Sequence, residues 1–132
     1  MSQENLEIVR CIYDRWAEGD FQAGRELLDP GITTVWAQDF PTAGIYHGPE
    51  GHAAAMREWL SAWTDLTLEA ERFVDAGESV VVPFVVRARG RESGAEVERR
   101  WAHAWTLHDG RVVRFEVHLE TREALEAVGL KE

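Results

Sequence analysis

The chain has 132 residues, 45% of them hydrophobic and 29% charged, the balance of one folded domain rather than of a disordered segment. With 14 basic residues against 24 acidic ones its formal charge is −10, and such a surface repels nucleic acid and anionic membrane alike. The single cysteine, Cys11, excludes an intrachain disulfide and fits a reducing cytoplasm. The first residues do not read as a secretion signal, and the apolar run from Val80 to Val86 is too short to cross a bilayer. We therefore expect one cytoplasmic domain over 1–132, with neither nucleic acid nor membrane as partner.

In chain order, Leu6, Val9, Ile12, Tyr13, Trp16 and Ala17 recur at three- and four-residue steps and predict an amphipathic helix. Gly19-Asp20 ends it, and Asp20 can cap a second short helix running to Leu28. Asp29-Pro30-Gly31 marks a turn, Ile32 to Trp36 a short strand, and 37–48 an irregular stretch. Pro49 and Glu50 open a third helix with the stripe Met56, Trp59, Leu60 and Trp63.

From Leu66 the period changes to alternation. Strands are predicted over 66–74, 79–89, 96–107 and 111–119, with turns at 75–78, 90–94 and Asp109-Gly110, and a short helix over 122–128 closes the chain. Helices followed by a meander predict an α+β fold: a cone-shaped, bent antiparallel sheet wrapped around three N-terminal helices.

Several segments carry a family resemblance. These are Tyr13-x-x-Trp16-x-x-Gly19-Asp20, Tyr46-His47-Gly48-x-x-Gly51, Asp75-x-Gly77-x-x-Val80-Val81-Val82, Trp101-x-His103-x-Trp105-x-Leu107-x-Asp109-Gly110-Arg111-Val112, and Glu123-Ala124-Leu125-x-Ala127-x-Gly129-Leu130. In this order they resemble SnoaL-like members of the nuclear transport factor 2-like superfamily, which includes ketosteroid isomerase, scytalone dehydratase and limonene epoxide hydrolase. The resemblance implies a cone with a pocket between sheet and helices, and commonly a homodimer through the outer sheet face. It does not fix a reaction, because this fold hosts many functions.

Alternation puts Trp101, His103, Trp105 and Leu107 on one strand face, the inward one by their bulk. His103 then sits between two indoles on the concave wall. It is either a satisfied core histidine or a pocket acid, base or hydrogen-bond donor. Its position resembles that of the enolate-stabilising acid of ketosteroid isomerase. The base carboxylate of that enzyme falls near Trp36, which cannot take a proton; the nearest carboxylate is Asp39, a candidate base or a solvated loop residue. Its catalytic tyrosine falls near Tyr13, one residue out of register.

Arg87, Arg89, Glu116, His118 and Glu120 offer the residue types used by the epoxide hydrolase and the cyclases. Alternation nevertheless turns Arg87, Glu116 and His118 outward, where Arg87 or Arg89 paired with Glu116 would be structural. The five histidines lack ligand spacing, so no metal is expected, and no phosphate-cradling loop calls for a nucleotide cofactor.

Six tryptophans exceed what a core of this size needs. Trp16 and Trp59 are expected to pack helices on the sheet. Trp36, Trp63, Trp101 and Trp105, with Tyr13, Phe84, Phe115 and Val117, are expected to line a pocket for a small apolar or aromatic molecule. With His103 and Asp39 as the polar candidates, the expected function is a cofactor-independent isomerase, cyclase or hydrolase acting on a polycyclic or terpenoid-like compound. The alternative is a binding or accessory module without chemistry, and a solid core would leave only a structural dimerisation domain.

Overall fold

A computed structural model describes residues 2–130 as a curved mixed sheet with two helices in its hollow and a third on its outer side. In chain order the elements are α1 (Ser2–Ala17), β1 (Leu28–Trp36), β2 (Gly44–His47), α2 (Gly48–Leu60), β3 (Trp63–Ala70), β4 (Val74–Ala76), β5 (Ser79–Gly90), β6 (Glu96–His108), β7 (Arg111–His118) and α3 (Thr121–Ala127). The main sheet path runs β2-β1-β7-β6-β5-β3, with β4 paired to β5. The α+β cone expected from the sequence is the fold of the chain.

Several details differ from expectation, and three of them shape the interior. The helix expected over 20–28 is reduced to a turn of 3-10 helix at Arg25–Leu27. Gly24, at φ +90°, approaches α1 so closely that an added Cβ would lie 3.0 Å from Ile12. A chain turning that tightly cannot continue a regular helix, so two long helices, not three, fill the hollow.

Trp63 leaves the stripe of α2 and begins β3. The backbone turns away at Ser61 and Ala62, where Arg91 holds the Ser61 and Trp63 carbonyls at 2.8 and 3.0 Å. Finally, the sheet is mixed. β1 runs parallel to β7, with Thr34 beside Phe115 and Trp36 beside Val117, while the meander of β5, β6 and β7 is antiparallel as expected.

The core follows the alternation of the strands. Val80, Val82, Phe84 and Val86 point inward and join Val9, Ile12, Tyr13 and Trp16 of α1 in the main cluster. Fully burying such an aliphatic or aromatic side chain is worth about 1.5–3 kcal/mol. The intervening Val81 is buried too, because α3 lays Ala124 and Leu125 over Val81, Ala102 and Ala104 on the outer face. Two-sided burial explains why Val80 to Val86 reads as an unbroken apolar run.

The outer face expected to mediate a dimer therefore carries α3 at its centre. Its open part holds ion pairs, but not those expected from the sequence. Arg87 faces Glu98 at 2.8 Å and Arg89 faces Glu96 at 2.9 Å, because β5 neighbours β6 and not β7. Glu116 instead binds Arg114 at 2.7 Å and His118 at 2.8 Å on its own strand. Burial works to raise the Glu116 carboxyl, but hydrogen bonds from His118 and Arg114 outweigh it and hold it below its usual range. No helix among the described residues is long and apolar enough to cross a membrane.

Candidate ligand pocket

The polar centre of the interior is built by two elements meeting face to face. α1 sends Tyr13 inward from its apolar stripe, and the inward face of β6 supplies His103 and Trp105. The Trp105 indole N–H donates to Tyr13 Oη at 2.9 Å, and Tyr13 Oη lies 2.5 Å from His103 Nδ1. An indole nitrogen can only donate, so the phenol oxygen is an acceptor there and its hydrogen is free to go to Nδ1.

Burial pushes the Tyr13 hydroxyl well above the usual phenol range, against the smaller opposing effect of the Trp105 hydrogen bond. Burial, and after it the His52 and His118 imidazoles, push His103 well below the ordinary imidazole value. The satisfied arrangement is a neutral ring that accepts at Nδ1 and carries its proton on Nε2. Nε2 has no hydrogen-bond partner among the described residues.

His103 stacks on Phe84, ring centres 4.0 Å apart, and lines a hollow of about 10 Å³, room for about a single water. Around it stand Trp16, Trp36, Trp59, Phe84, Trp101 and Val117, with Phe21, Met56 and Leu68 completing the wall.

A second cavity of about 160 Å³ opens outward between α1, the turn that follows it and α2. The two cavities share Trp16, Phe21 and Met56 as a partition. The Trp16 indole N–H is buried with no hydrogen-bond partner among the described residues.

His52 is the outer cavity's buried polar residue. α2 places it one turn before Met56, and Thr34 of β1 holds its Nδ1 at 2.9 Å. Burial, with a smaller contribution from the Arg25 guanidinium, lowers its pKa to about 4. Phe115 touches both imidazoles, with ring centres 5.1 Å from His52 and 4.8 Å from His103. Arg25, Arg57 and Gln22 complete the polar lining, and no carboxylate lines either cavity among the described residues.

The expected pocket residues therefore divide. Trp36, Phe84, Trp101, His103 and Val117 meet at the inner hollow, and Trp105 lines the outer cavity. Tyr13 and Phe115 are buried behind the walls. Trp63 packs beside Trp59, ring centres 6.4 Å apart, and lines neither cavity.

Asp39 lies exposed on the turn after β1, also outside both cavities. Trp16 and Trp59, expected only to pack, line the hollow. His52 was missed, although it stands at i, i+4 and i+7 spacing with Met56 and Trp59 on α2, a signal present in the sequence. Among the described residues no group of three or more His, Cys, Asp or Glu is placed to hold a metal ion.

The curved sheet folded over two helices defines the nuclear transport factor 2-like class of cones. The SnoaL-like domain matches residues 9–115, and the chain belongs to that family. A nuclear transport factor 2-like protein from Burkholderia thailandensis has 26% identity and a TM-score of 0.79, covering 88% of this chain and 90% of its own. Another from Burkholderia pseudomallei, of unknown function, has 23% identity and a TM-score of 0.77, with coverage of 96% and 98%. A Jannaschia protein provisionally described as a SnoaL-like polyketide cyclase has 19% identity and a TM-score of 0.78, with coverage of 99% and 95%. No curated protein matches the chain in sequence.

Proposed function

We propose that the chain binds a small, flat, mostly apolar molecule in the cleft between its helices and sheet, and that His103 offers Nε2–H to an oxygen of that molecule. The observation that carries this reading is the Tyr13–His103 pair. It ties up Nδ1 and leaves a neutral ring with a free donor on an otherwise apolar, largely aromatic wall. A preorganised neutral N–H in a dry site stabilises negative charge developing on a carbonyl or ether oxygen. That chemistry suits a cofactor-independent isomerase, cyclase or hydrolase, and similarity to a protein described as a polyketide cyclase supports the same class.

A molecule larger than water reaches His103 only if the partition of Trp16, Phe21 and Met56 opens. Met56 is well suited to that, being an unbranched side chain that repacks easily. The second reading is a binding module without chemistry, favoured by the missing carboxylate: any proton must be taken by His52, by water or by the ligand itself. A homodimer through the outer sheet face accompanies either reading.

The test is a thermal-shift and turnover panel of flat polycyclic ketones and quinones on the native chain and on His103→Phe, which keeps ring stacking but loses the donor. Binding of at least one compound, weakened in His103→Phe, supports the pocket, and product formed only by the native chain supports catalysis. A panel in which no compound raises the melting temperature overturns the pocket.

A further inference from the structure

The outer cavity has two arginines at its rim whose charges are unanswered. Most arginines of this acid-rich chain are engaged: Arg87, Arg89, Arg100 and Arg114 lie against carboxylates, and Arg91 binds two carbonyls. Arg25 and Arg57 line the cavity and have no salt-bridge or side-chain hydrogen-bond partner among the described residues. Their chain neighbours Glu26 and Glu58 do not pair with them either.

An exposed arginine is commonly just solvated. Two converging on one apolar cavity, in a chain of charge −10, are a different matter, because unpaired acids are abundant elsewhere on the surface. The two come from separate elements. Arg25 stands on the turn forced by Gly24, and Arg57 on α2 one turn after Ala53, which also faces the cavity. Opposite them the wall is Trp16, Leu28, Met56, Leu60 and Trp105, so the cavity is amphipathic: aromatic within, cationic at the rim.

We infer that the molecule taken by this cavity is an aromatic or polycyclic anion of carboxylate type, its ring system against Trp16 and Trp105 and its charge met by Arg25 and Arg57. The inference rests on the pocket proposed above and names its substrate class. Guanidinium groups suit the oxygen pair of a carboxylate, which they bind through parallel N–H donors. A local positive rim also draws an anion toward the cavity mouth on a chain whose net charge is otherwise negative. The apolar end then points toward the partition and His103.

The experiment is a pair of NMR titrations, with 2-naphthoate and with its neutral methyl ester, following the indole N–H signals of Trp16 and Trp105. The native chain is compared with the doubly substituted Arg25→Gln, Arg57→Gln chain; both positions are exposed, and the amide spectrum reports whether the fold is kept. We expect naphthoate to bind the native chain about tenfold more tightly than the ester, the effect of one or two charge-assisted hydrogen bonds. The double substitution abolishes that preference and leaves ester binding within about twofold.

Equal binding of the two probes by the native chain overturns the anion assignment, as does equal weakening of both in the variant. If the ester alone binds, the pocket stands and the anion assignment falls. If neither probe moves the indole signals, the pocket falls with it.

Discussion

Tyr13 of α1 and His103 of β6, 90 residues apart in sequence, share a hydrogen bond of 2.5 Å in the centre of the core. The bond joins helix to sheet and also sets the histidine's tautomer. Tyr13→Phe keeps the ring and removes the hydroxyl, leaving the Trp105 N–H and His103 Nδ1 both buried and unpaired. Each such group costs about 1–3 kcal/mol, so urea denaturation should show a loss of about 2–4 kcal/mol, far above that of a surface substitution.

The two buried imidazoles make stability depend on pH. Both are neutral in the fold, with His52 lowered to about 4 and His103 lowered well below the ordinary 6.5. The unfolded chain takes up these protons as pH falls through about 6.5, and the folded chain does not. Stability is therefore fully present above that value and declines below it, through about 4 for His52 and further for His103. Between about pH 6 and 5 the slope should approach roughly 3 kcal/mol per pH unit, two protons' worth, and His52→Asn should cut it to about half. Denaturation midpoints measured over this range check both values.

Trp16 and Trp105 form a matched contrast. Both indoles are buried and line the outer cavity, yet Trp105 donates to Tyr13 while the Trp16 N–H has no partner among the described residues. Replacing either with Phe removes similar volume. Trp105→Phe should be the costlier by about 1–2 kcal/mol, because it alone breaks a buried hydrogen bond. Trp16→Phe should instead weaken any ligand that accepts from the indole. Paired thermal and denaturant unfolding of the two variants tests the ordering.

Gly24 sets the turn that presents Arg25. Its φ of +90° and a Cβ position 3.0 Å from Ile12 leave no room for a side chain without strain. Gly24→Ala should cost about 1–3 kcal/mol, seen as a lowered unfolding midpoint, and should disturb the cavity rim.

The parts of the fold legible in the sequence are those governed by short-range pattern. Alternation on β6 put His103 on the inner wall between Trp101 and Trp105, and the stripe of α1 placed Tyr13 inside. Asp109-Gly110 marked its hairpin because both residues need positive φ, which they adopt at 51° and 78°.

What stayed illegible depends on long-range pairing. The parallel pairing of β1 to β7 joins strands some 80 residues apart, and no local pattern records it. Trp63 continued the helical stripe of α2 in sequence, but the tie of Arg91 to Ser61 and Trp63 had already turned the chain. His52 gained its role from Thr34, a partner on another element.

The proposed role of His103 requires a neutral ring with its proton on Nε2. Long-range nitrogen NMR of the imidazole at pH 7 tests this directly. We expect a protonated, pyrrole-type Nε2 and an unprotonated, pyridine-type Nδ1, unchanged as pH is lowered to 5. A ring protonated at both nitrogens, or one with its proton on Nδ1, would contradict it.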